Sequence, residues 1–125
     1  MRCLIVDDEP LSQNILKKFT SQTPGLEISA VCQDAFEAME FLQKQPVDLL
    51  FLDVNMPGLS GINFLKSLEN PPPVVFITAY PEFAVEGFNL NAVDYLLKPF
   101  SKERFKQAVD KALEYISGDS LNRSF

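Results

Sequence analysis

Short runs of apolar, largely β-branched residues recur along the chain, and each is followed by a segment of mixed polarity. Several of these runs are apolar at every position rather than at alternate positions, which is typical of strands covered on both faces of a sheet. The pattern therefore predicts five buried strands. They span residues 3–6, 26–32, 49–52, 74–77 and 93–97.

The segments between the runs have helical spacing and predict five helices, the fourth over residues 81–88. Three of them have a recognisable start. Pro10 suits a first helical turn, Asp34 with Glu37 forms a capping-box-like start, and Ser101 is a suitable N-cap. The apolar stripes are Leu11, Ile15 and Phe19 in the first helix; Ala35, Ala38, Met39 and Leu42 in the second; Phe64, Leu65 and Leu68 in a third that starts near Ser60; and Phe105, Val109, Ala112, Leu113 and Ile116 in the last.

Alternation of strand and helix with short connections predicts a parallel sheet that has helices on both faces and right-handed crossovers. The predicted fold class is doubly wound α/β, with a five-stranded parallel sheet and a (βα)5 order of elements. Residues 118–125 are polar and lack helical period. We therefore predict a domain over residues 1–117, followed by a polar tail or linker stub.

The composition of the 125 residues narrows the chemistry that the chain can perform. Hydrophobic residues make up 46% and charged residues 22%, as in an ordinary globular domain. The net charge of −6 disfavours direct binding of nucleic-acid phosphates. Because the sequence contains no histidine, Ser-His-Asp and Cys-His catalysis and His-ligated metal sites are excluded.

The two cysteines and the N-terminus bear on the cellular compartment. Cys3 and Cys32 both lie in apolar runs without metal-ligand spacing, so we predict that they are small buried core residues. The first apolar run is too short for a signal peptide, and no run approaches the roughly 20 residues that span a membrane. We expect a reduced, cytoplasmic protein without a membrane partner.

Polar side chains follow four of the predicted strands. Asp7 and Asp8 follow the first, Asp53 the third, Thr78 the fourth and Lys98 the fifth. Because the carboxyl ends of parallel strands border one crevice where the strand order reverses, we expect these side chains to meet. Three carboxylates in one crevice repel each other, and a hard divalent cation relieves the repulsion. The sequence therefore predicts a Mg²⁺ site at these acids.

The same crevice is suited to phosphoryl transfer. Lys98 would add positive charge and Thr78 a hydroxyl, and such a set can neutralise the oxygens of a transferring phosphoryl group. Asp53 is then the expected nucleophile, which forms an aspartyl phosphate. The role of Glu9 is open: it is either a charge at the start of the first helix or a group at the periphery of the site. We do not count it among the metal ligands.

These residues resemble the signature of two-component response-regulator receiver domains over residues 1–117. The matching motifs are Asp7-Asp8, Asp53 within residues 52–58, Thr78-Ala79 and Lys98-Pro99-Phe100. The resemblance implies a flavodoxin-like strand order 2-1-3-4-5, and Mg²⁺ held by the three carboxylates and the main-chain carbonyl of Asn55. It also implies that Asp53 is phosphorylated by the phosphohistidine of a sensor histidine kinase, and that Thr78 and Lys98 contact the phosphoryl group.

The resemblance further implies a switch. Tyr95, three residues before Lys98, matches an aromatic residue whose inward rotation accompanies activation. Thr78 would be the second residue of this switch. The peptide bond after Lys98 matches one that is usually cis. Phe83 and Phe88 remain open between packing and a part in the switch.

Within that family, residues 78–88 and 91–100 are most similar to receivers of the LytTR type, which precede a DNA-binding domain. The resemblance implies regulation of transcription through an output domain that this sequence lacks, and DNA contact only through that domain. If the switch exposes Phe83, Val85 or Phe88, we expect the phosphorylated domain to form a homodimer or to bind a partner more tightly. The chemistry would be limited to self-phosphorylation and autodephosphorylation, so we expect an interaction module rather than an enzyme.

Other functions fit parts of the pattern. A haloacid-dehalogenase-like phosphatase would also use Asp53 as nucleophile, although it needs a second acid where Asn55 stands. A calcium EF-hand loop from Asp53 would have Phe64 where a bidentate glutamate belongs. A nucleotide-binding flavodoxin-like protein would need a glycine-rich fingerprint or a P-loop, and the sequence has neither. The phosphatase is the alternative that we retain.

Overall fold

The computed structural model describes residues 1–81 and 92–123, which form five strands and four helices. The elements are β1 (Arg2–Val6), α1 (Pro10–Ser21), β2 (Glu27–Cys32), α2 (Ala35–Lys44), β3 (Leu49–Asp53), α3 (Gly61–Ser67), β4 (Val74–Thr78), β5 (Asp94–Leu97) and the C-terminal helix (Lys102–Arg123). Each predicted strand is present within one or two residues of its expected ends. The helix predicted over residues 81–88 falls almost entirely outside the described residues.

The five strands form one parallel sheet in the order β2-β1-β3-β4-β5. The order reverses at β1, whose neighbours β2 and β3 continue the chain in opposite directions across the sheet. This arrangement confirms the predicted doubly wound α/β class and the flavodoxin-like strand order. It also places the crevice of the sheet at the carboxyl ends of β1 and β3.

Two apolar layers cover the sheet, one on each face. Strand residues alternate between the layers, so Leu50 and Leu52 of β3 face one side while Phe51 faces the other. One layer packs against α2 and α3, and the other against α1 and the C-terminal helix. The central strands β1, β3 and β4 are therefore buried on both faces, which explains their continuous apolar runs.

The predicted starts of the first, second, third and last helices are confirmed. The side chains of Asp34, Ser60 and Ser101 accept hydrogen bonds from backbone N–H groups three residues on, at 2.9, 3.1 and 3.0 Å. A side-chain acceptor at the N-cap satisfies one of the amides that a first helical turn leaves unpaired. Because each cap acts within four residues of chain, local sequence was sufficient to predict it.

The buried face of α1 differs from the predicted stripe. Ser12, Leu16 and Thr20 are buried, whereas Leu11 is 68% exposed and Ile15 and Phe19 are only partly buried. The stripe was therefore displaced by one residue. Hydrophobicity alone could not locate this face, because two of its three members carry hydroxyl groups.

The C-terminal helix also departs from expectation in two ways. Leu113 was predicted on the apolar stripe but is 48% exposed, and Ala108 is buried in the layer instead. The helix continues to Arg123, although residues 118–125 lack helical period in the sequence, and the predicted domain boundary at residue 117 stays a prediction. A polar sequence can extend an existing helix because propagation is much easier than nucleation. None of the helices in the described part of the chain is long and apolar enough to cross a membrane.

Both cysteines are free, buried core residues, as predicted. Cys3 and Cys32 lie in different layers of the core. Burial raises the pKa of each thiol to about 11, so both remain protonated at neutral pH. They act as small apolar side chains rather than as nucleophiles.

Candidate phosphoryl-acceptor site

The functional side chains predicted from the sequence lie at the carboxyl edge of the sheet. Asp7 follows β1 directly, Asp53 ends β3, Thr78 ends β4 and Lys98 follows β5. Backbone hydrogen bonds continue past the strand ends and align these positions. The amide of Lys98, for example, donates to the carbonyl of Thr78 at 2.8 Å.

Three carboxylates meet in this crevice. Asp7, Asp8 and Asp53 each offer a carboxylate oxygen within 4.8 Å of the others. Asp7 and Asp53 are buried, whereas Asp8 is exposed. A group of carboxylates that includes a solvent-facing member and lacks thiol or imidazole suits a hard cation that retains some of its waters, as Mg²⁺ does. The residues present therefore fit the cation predicted from the sequence.

The first helix holds Asp7 in place. The Ser12 hydroxyl donates to Asp7 Oδ2 at 2.6 Å, and the Glu9 amide donates to Asp7 Oδ1 at 2.9 Å. The Gln13 side-chain amide donates to the Asp7 carbonyl at 2.6 Å. Both carboxylate oxygens of this buried acid thus have protein partners. Sequence reasoning missed Ser12 and Gln13, although a serine amid apolar helix positions was a usable signal.

Lys98 provides the positive charge of the crevice. Its Nζ lies 3.2 Å from Asp7 Oδ2, 3.5 Å from Glu9 Oε1 and 3.7 Å from Asp53 Oδ2. Burial alone would lower the pKa of this lysine, but the facing carboxylates outweigh burial and raise it. The ammonium group is therefore charged at neutral pH and lies between the acids.

The surroundings of Asp53 shift its pKa strongly upwards. Burial and the neighbouring charge of Asp7 raise its pKa to about 7, although Lys98 and a backbone hydrogen bond from Asn55 oppose the rise. Asp53 Oδ1 accepts from the Asn55 amide at 3.2 Å, whereas Oδ2 faces the lysine. A carboxylate held this way is ionised only at a cost, which a bound cation would reduce.

The loop after β3 is fixed by a close approach of α3. A side chain on Gly61 would place its Cβ 2.1 Å from the carbonyl oxygen of Asp53, so only glycine fits here. The Gly61 amide donates to the Val54 carbonyl at 2.8 Å. The backbone amide of Asn55 donates to Asp53, and the Asn55 side chain has no carboxyl group. The second acid that a phosphatase of the haloacid-dehalogenase type needs is therefore absent at this position.

Thr78 is buried at the end of β4, and its hydroxyl contacts its own loop. The Tyr80 amide donates to Thr78 Oγ1 at 3.0 Å, and Oγ1 lies 3.4 Å from the Tyr80 carbonyl oxygen. These contacts hold the hydroxyl at the carboxyl end of β4, the strand next to β3. Its predicted contact with a phosphoryl group stays a prediction.

Tyr95 is partly buried and packs on the sheet. Its ring stacks on Phe76 with centroids 5.6 Å apart, in the layer that also contains α2 and α3. The Lys98–Pro99 peptide bond is cis, as the resemblance implied. Phe83 and Phe88 lie outside the described residues.

A second ionic group fixes the start of β5. The two terminal nitrogens of the Arg104 guanidinium, Nη1 and Nη2, donate to the Asp94 carboxylate at 2.7 and 2.8 Å, and Nη2 also donates to the Tyr95 carbonyl at 2.8 Å. Lys111 Nζ lies 3.4 Å from Asp94. Burial would raise the pKa of Asp94, but hydrogen bonds from Arg104 and from the Tyr95 amide outweigh it and lower the pKa. Sequence reasoning missed this group entirely.

Fold and site together define a flavodoxin-like α/β protein with an acidic, lysine-containing crevice at the carboxyl edge of its sheet. A family model described as the response regulator receiver domain matches residues 3–110. The chain therefore belongs to the response regulator receiver domain family, which confirms the resemblance seen in its motifs.

Individual relatives agree with this assignment. The transcriptional regulatory protein LytR of Staphylococcus aureus (strain N315) is 38% identical over 127 residues, covering 99% of this chain and 52% of that protein. The response regulatory domain of protein mrkE from Klebsiella pneumoniae matches with a TM-score of 0.84 at 36% identity, covering 92% of this chain and 97% of that chain. The response regulator TrrA from Thermotoga maritima, solved in complex with Mg(2+)-BeF, matches with a TM-score of 0.78 at 29% identity, covering 89% and 97%. The chain spans about half the length of the curated relatives it matches.

Proposed function

We propose that Asp53 accepts a phosphoryl group from the phosphohistidine of a sensor histidine kinase. The observation that carries the proposal is the setting of Asp53, a buried carboxylate at a strand end with one oxygen facing Lys98 and two further acids within 4.8 Å. Such a carboxylate can act as a nucleophile once the charges around it are balanced. Membership of the receiver family supports the same interpretation.

The transfer forms one bond and breaks one. An oxygen of Asp53 attacks the phosphorus, the P–N bond to the donor imidazole breaks, and its electron pair returns to the imidazole nitrogen. Lys98, whose Nζ lies 3.7 Å from Asp53 Oδ2, balances negative charge on the phosphoryl oxygens, and the backbone amide of Asn55 fixes the other Asp53 oxygen. The Thr78 hydroxyl gives up its hydrogen bond with the Tyr80 backbone and then contacts the phosphoryl group.

Mg²⁺ is the cofactor that we propose for this step, held by Asp7, Asp8, Asp53 and the main-chain carbonyl of Asn55. When bound, it supplies positive charge that offsets the repulsion between the carboxylates and the incoming phosphoryl oxygens. The oxygen-only donor set supports this choice, as does the Mg(2+)-BeF complex of TrrA.

For the consequence of phosphorylation, we propose a switch at Thr78 and Tyr95 that alters the surface of the chain and promotes a homodimer. The stack of Tyr95 on Phe76 supports a packed state from which the aromatic ring could move. We further propose a role in transcription, through the part of a longer regulator that would bind DNA. The name of the Staphylococcus aureus relative supports that role.

Labelling of the nucleophile tests the proposal. Incubation with acetyl phosphate and Mg²⁺ should add one phosphoryl group to the wild-type protein, and intact-mass spectrometry should detect it. Hydroxylamine should remove it, as expected for an acyl phosphate. Asp53→Asn should abolish the label, because the amide oxygen is a poor nucleophile, and chelation of Mg²⁺ should suppress it.

A matched control is Asp110→Asn, which makes the same chemical change at an exposed position on the C-terminal helix. This variant should label as the wild type does. Undiminished, hydroxylamine-sensitive labelling of Asp53→Asn would place the acceptor elsewhere and contradict the proposal.

A further inference from the structure

Glu9 has an unusual position for a helix N-cap residue. It caps α1 through its backbone only, since its side chain makes no capping hydrogen bond. The side chain is 58% exposed, and its Oε1 lies 3.5 Å from the ammonium nitrogen of Lys98. The Glu9 carboxylate is thus directed towards the crevice rather than towards the helix that it begins.

Lys98 therefore interacts with three acids that differ in burial. The side chains of Asp7 and Asp53 are 0% and 6% exposed, whereas Glu9 lies at the rim. An ammonium group has three N–H donors to share among its partners. A donor that points to Glu9 is unavailable to the two buried acids, and to an anion on Asp53.

We propose that Glu9 is a positioning residue that holds the ammonium group of Lys98 at the rim of the crevice, and so weakens binding of a phosphoryl-like anion at Asp53 while it favours binding of the divalent cation. This inference rests on the proposed function, because it assigns the anion and the cation to that site.

The two effects follow from the same contact. A phosphoryl-like anion must draw Lys98 towards Asp53, so the contact with Glu9 has to be weakened or lost when the anion binds. A divalent cation needs the opposite arrangement, because ammonium beside Asp7 and Asp53 repels it and competes for their oxygens. The negative charge of Glu9 also attracts the cation and repels the anion. Glu9 thus strengthens binding of the divalent cation and weakens binding of the anion.

The expected size is modest because the pair is partly exposed. Contacts of this kind correspond to a factor of about two to five in an equilibrium constant. Glu9→Gln should bind beryllofluoride about two- to fivefold more tightly than the wild type at saturating Mg²⁺. The same variant should bind Mg²⁺ alone more weakly, by a similar factor.

Glu9→Asp separates the contact from the charge. It keeps the carboxylate but shortens the side chain by one C–C bond, about 1.5 Å, which weakens a contact that is already 3.5 Å long. If the contact matters, Glu9→Asp should bind beryllofluoride more tightly than the wild type, in the direction of Glu9→Gln. Glu40→Gln is the control, since it removes the same charge from a glutamate paired with Lys44 on α2.

The experiment titrates the wild type and these three variants with Mg²⁺, and then with beryllofluoride at saturating Mg²⁺, following backbone amide shifts by NMR. Opposite changes for the two ligands in Glu9→Gln, with Glu40→Gln unchanged, support the inference, because a damaged fold would weaken both. Unchanged or weaker beryllofluoride binding in Glu9→Gln overturns it, as does wild-type behaviour of Glu9→Asp. A wild-type protein that binds neither ligand would instead overturn the proposed function, and this inference with it.

Discussion

Replacement of Asp53 by asparagine should stabilise the metal-free protein while abolishing its proposed chemistry. The wild-type carboxylate is buried, lies close to Asp7 and has its pKa raised to about 7. Asparagine has nearly the same shape and no charge, so it removes the repulsion without leaving a cavity. A gain in stability from loss of a functional group is expected where a site is electrostatically strained.

The size of the gain follows from linkage between protonation and folding. The rise of the Asp53 pKa from the ordinary aspartate value of 3.8 to about 7 lowers the free energy of unfolding by about 4 kcal/mol at a pH where Asp53 is ionised in both the folded and the unfolded protein. This is an upper limit, because the introduced side-chain amide needs hydrogen-bond partners and Lys98 loses one of its three carboxylates. We expect Asp53→Asn to raise the free energy of unfolding by about 1–3 kcal/mol at pH 8.

The dependence on pH has a definite sign. At pH 8 the folded wild type carries ionised Asp53 at full cost. As the pH falls below about 7, folded Asp53 takes up a proton while the unfolded chain remains ionised down to about 4, so the cost shrinks. The advantage of Asp53→Asn should therefore decrease between pH 8 and pH 5.

Urea unfolding, followed by far-ultraviolet circular dichroism with a chelator present, measures the free energy of unfolding of each protein. The dependence of that free energy on urea concentration should be the same in the wild type and the variant. Asp110→Asn is again the control and should show no comparable gain. An Asp53→Asn protein that is less stable than the wild type at pH 8, or whose advantage is constant from pH 8 to pH 5, would refute the reasoning.

Three further variants test other parts of the structure. Gly61→Ala should lower the unfolding free energy by about 1–3 kcal/mol in urea melts, because its Cβ would overlap a strand carbonyl, whereas Gly118→Ala, with open space around its Cβ, should not. Lys98→Ala should still bind Mg²⁺ in an NMR titration but lose most of its affinity for beryllofluoride, since a cation opposes metal binding and favours the anion. Asp94→Asn should destabilise the protein by about 1–3 kcal/mol at pH 7, because Arg104 loses its charged partner. Since the folded pKa of Asp94 is lowered, this difference should shrink as the pH falls below about 4, which urea melts at both pH values would reveal.

Most of the sheet could be predicted from the sequence because its signals are local. The central strands are continuously apolar, and the caps at Asp34, Ser60 and Ser101 act over three residues. The acids of the crevice were predictable for a related reason. Each ends an apolar run, so the sequence marks both the end of the strand and the start of the chemistry.

Features that depend on tertiary pairing were not predictable in this way. Ser12 is buried because its hydroxyl binds Asp7, a contact that hydrophobicity does not encode. Asp94 and Arg104 pair across the turn between β5 and the C-terminal helix, where each alone resembles an ordinary surface charge. Local pattern therefore located the elements and the crevice, whereas the supporting contacts needed the structure.

The crevice departs from the rules that the rest of the chain follows, and the departure is confined to the strand ends. Two acids are buried beside each other, which raises the pKa of Asp53, although the strand residues that precede them, 3–6 and 49–52, are apolar and fully buried. Lys98 offsets this unfavourable charge from the residue just after β5, so the balance depends on the register of β3 with β4 and of β4 with β5 rather than on any one segment. Since local violations of otherwise consistent patterning concentrate at functional sites, the same acids that destabilise the fold are those expected to respond to a cation or a phosphoryl group.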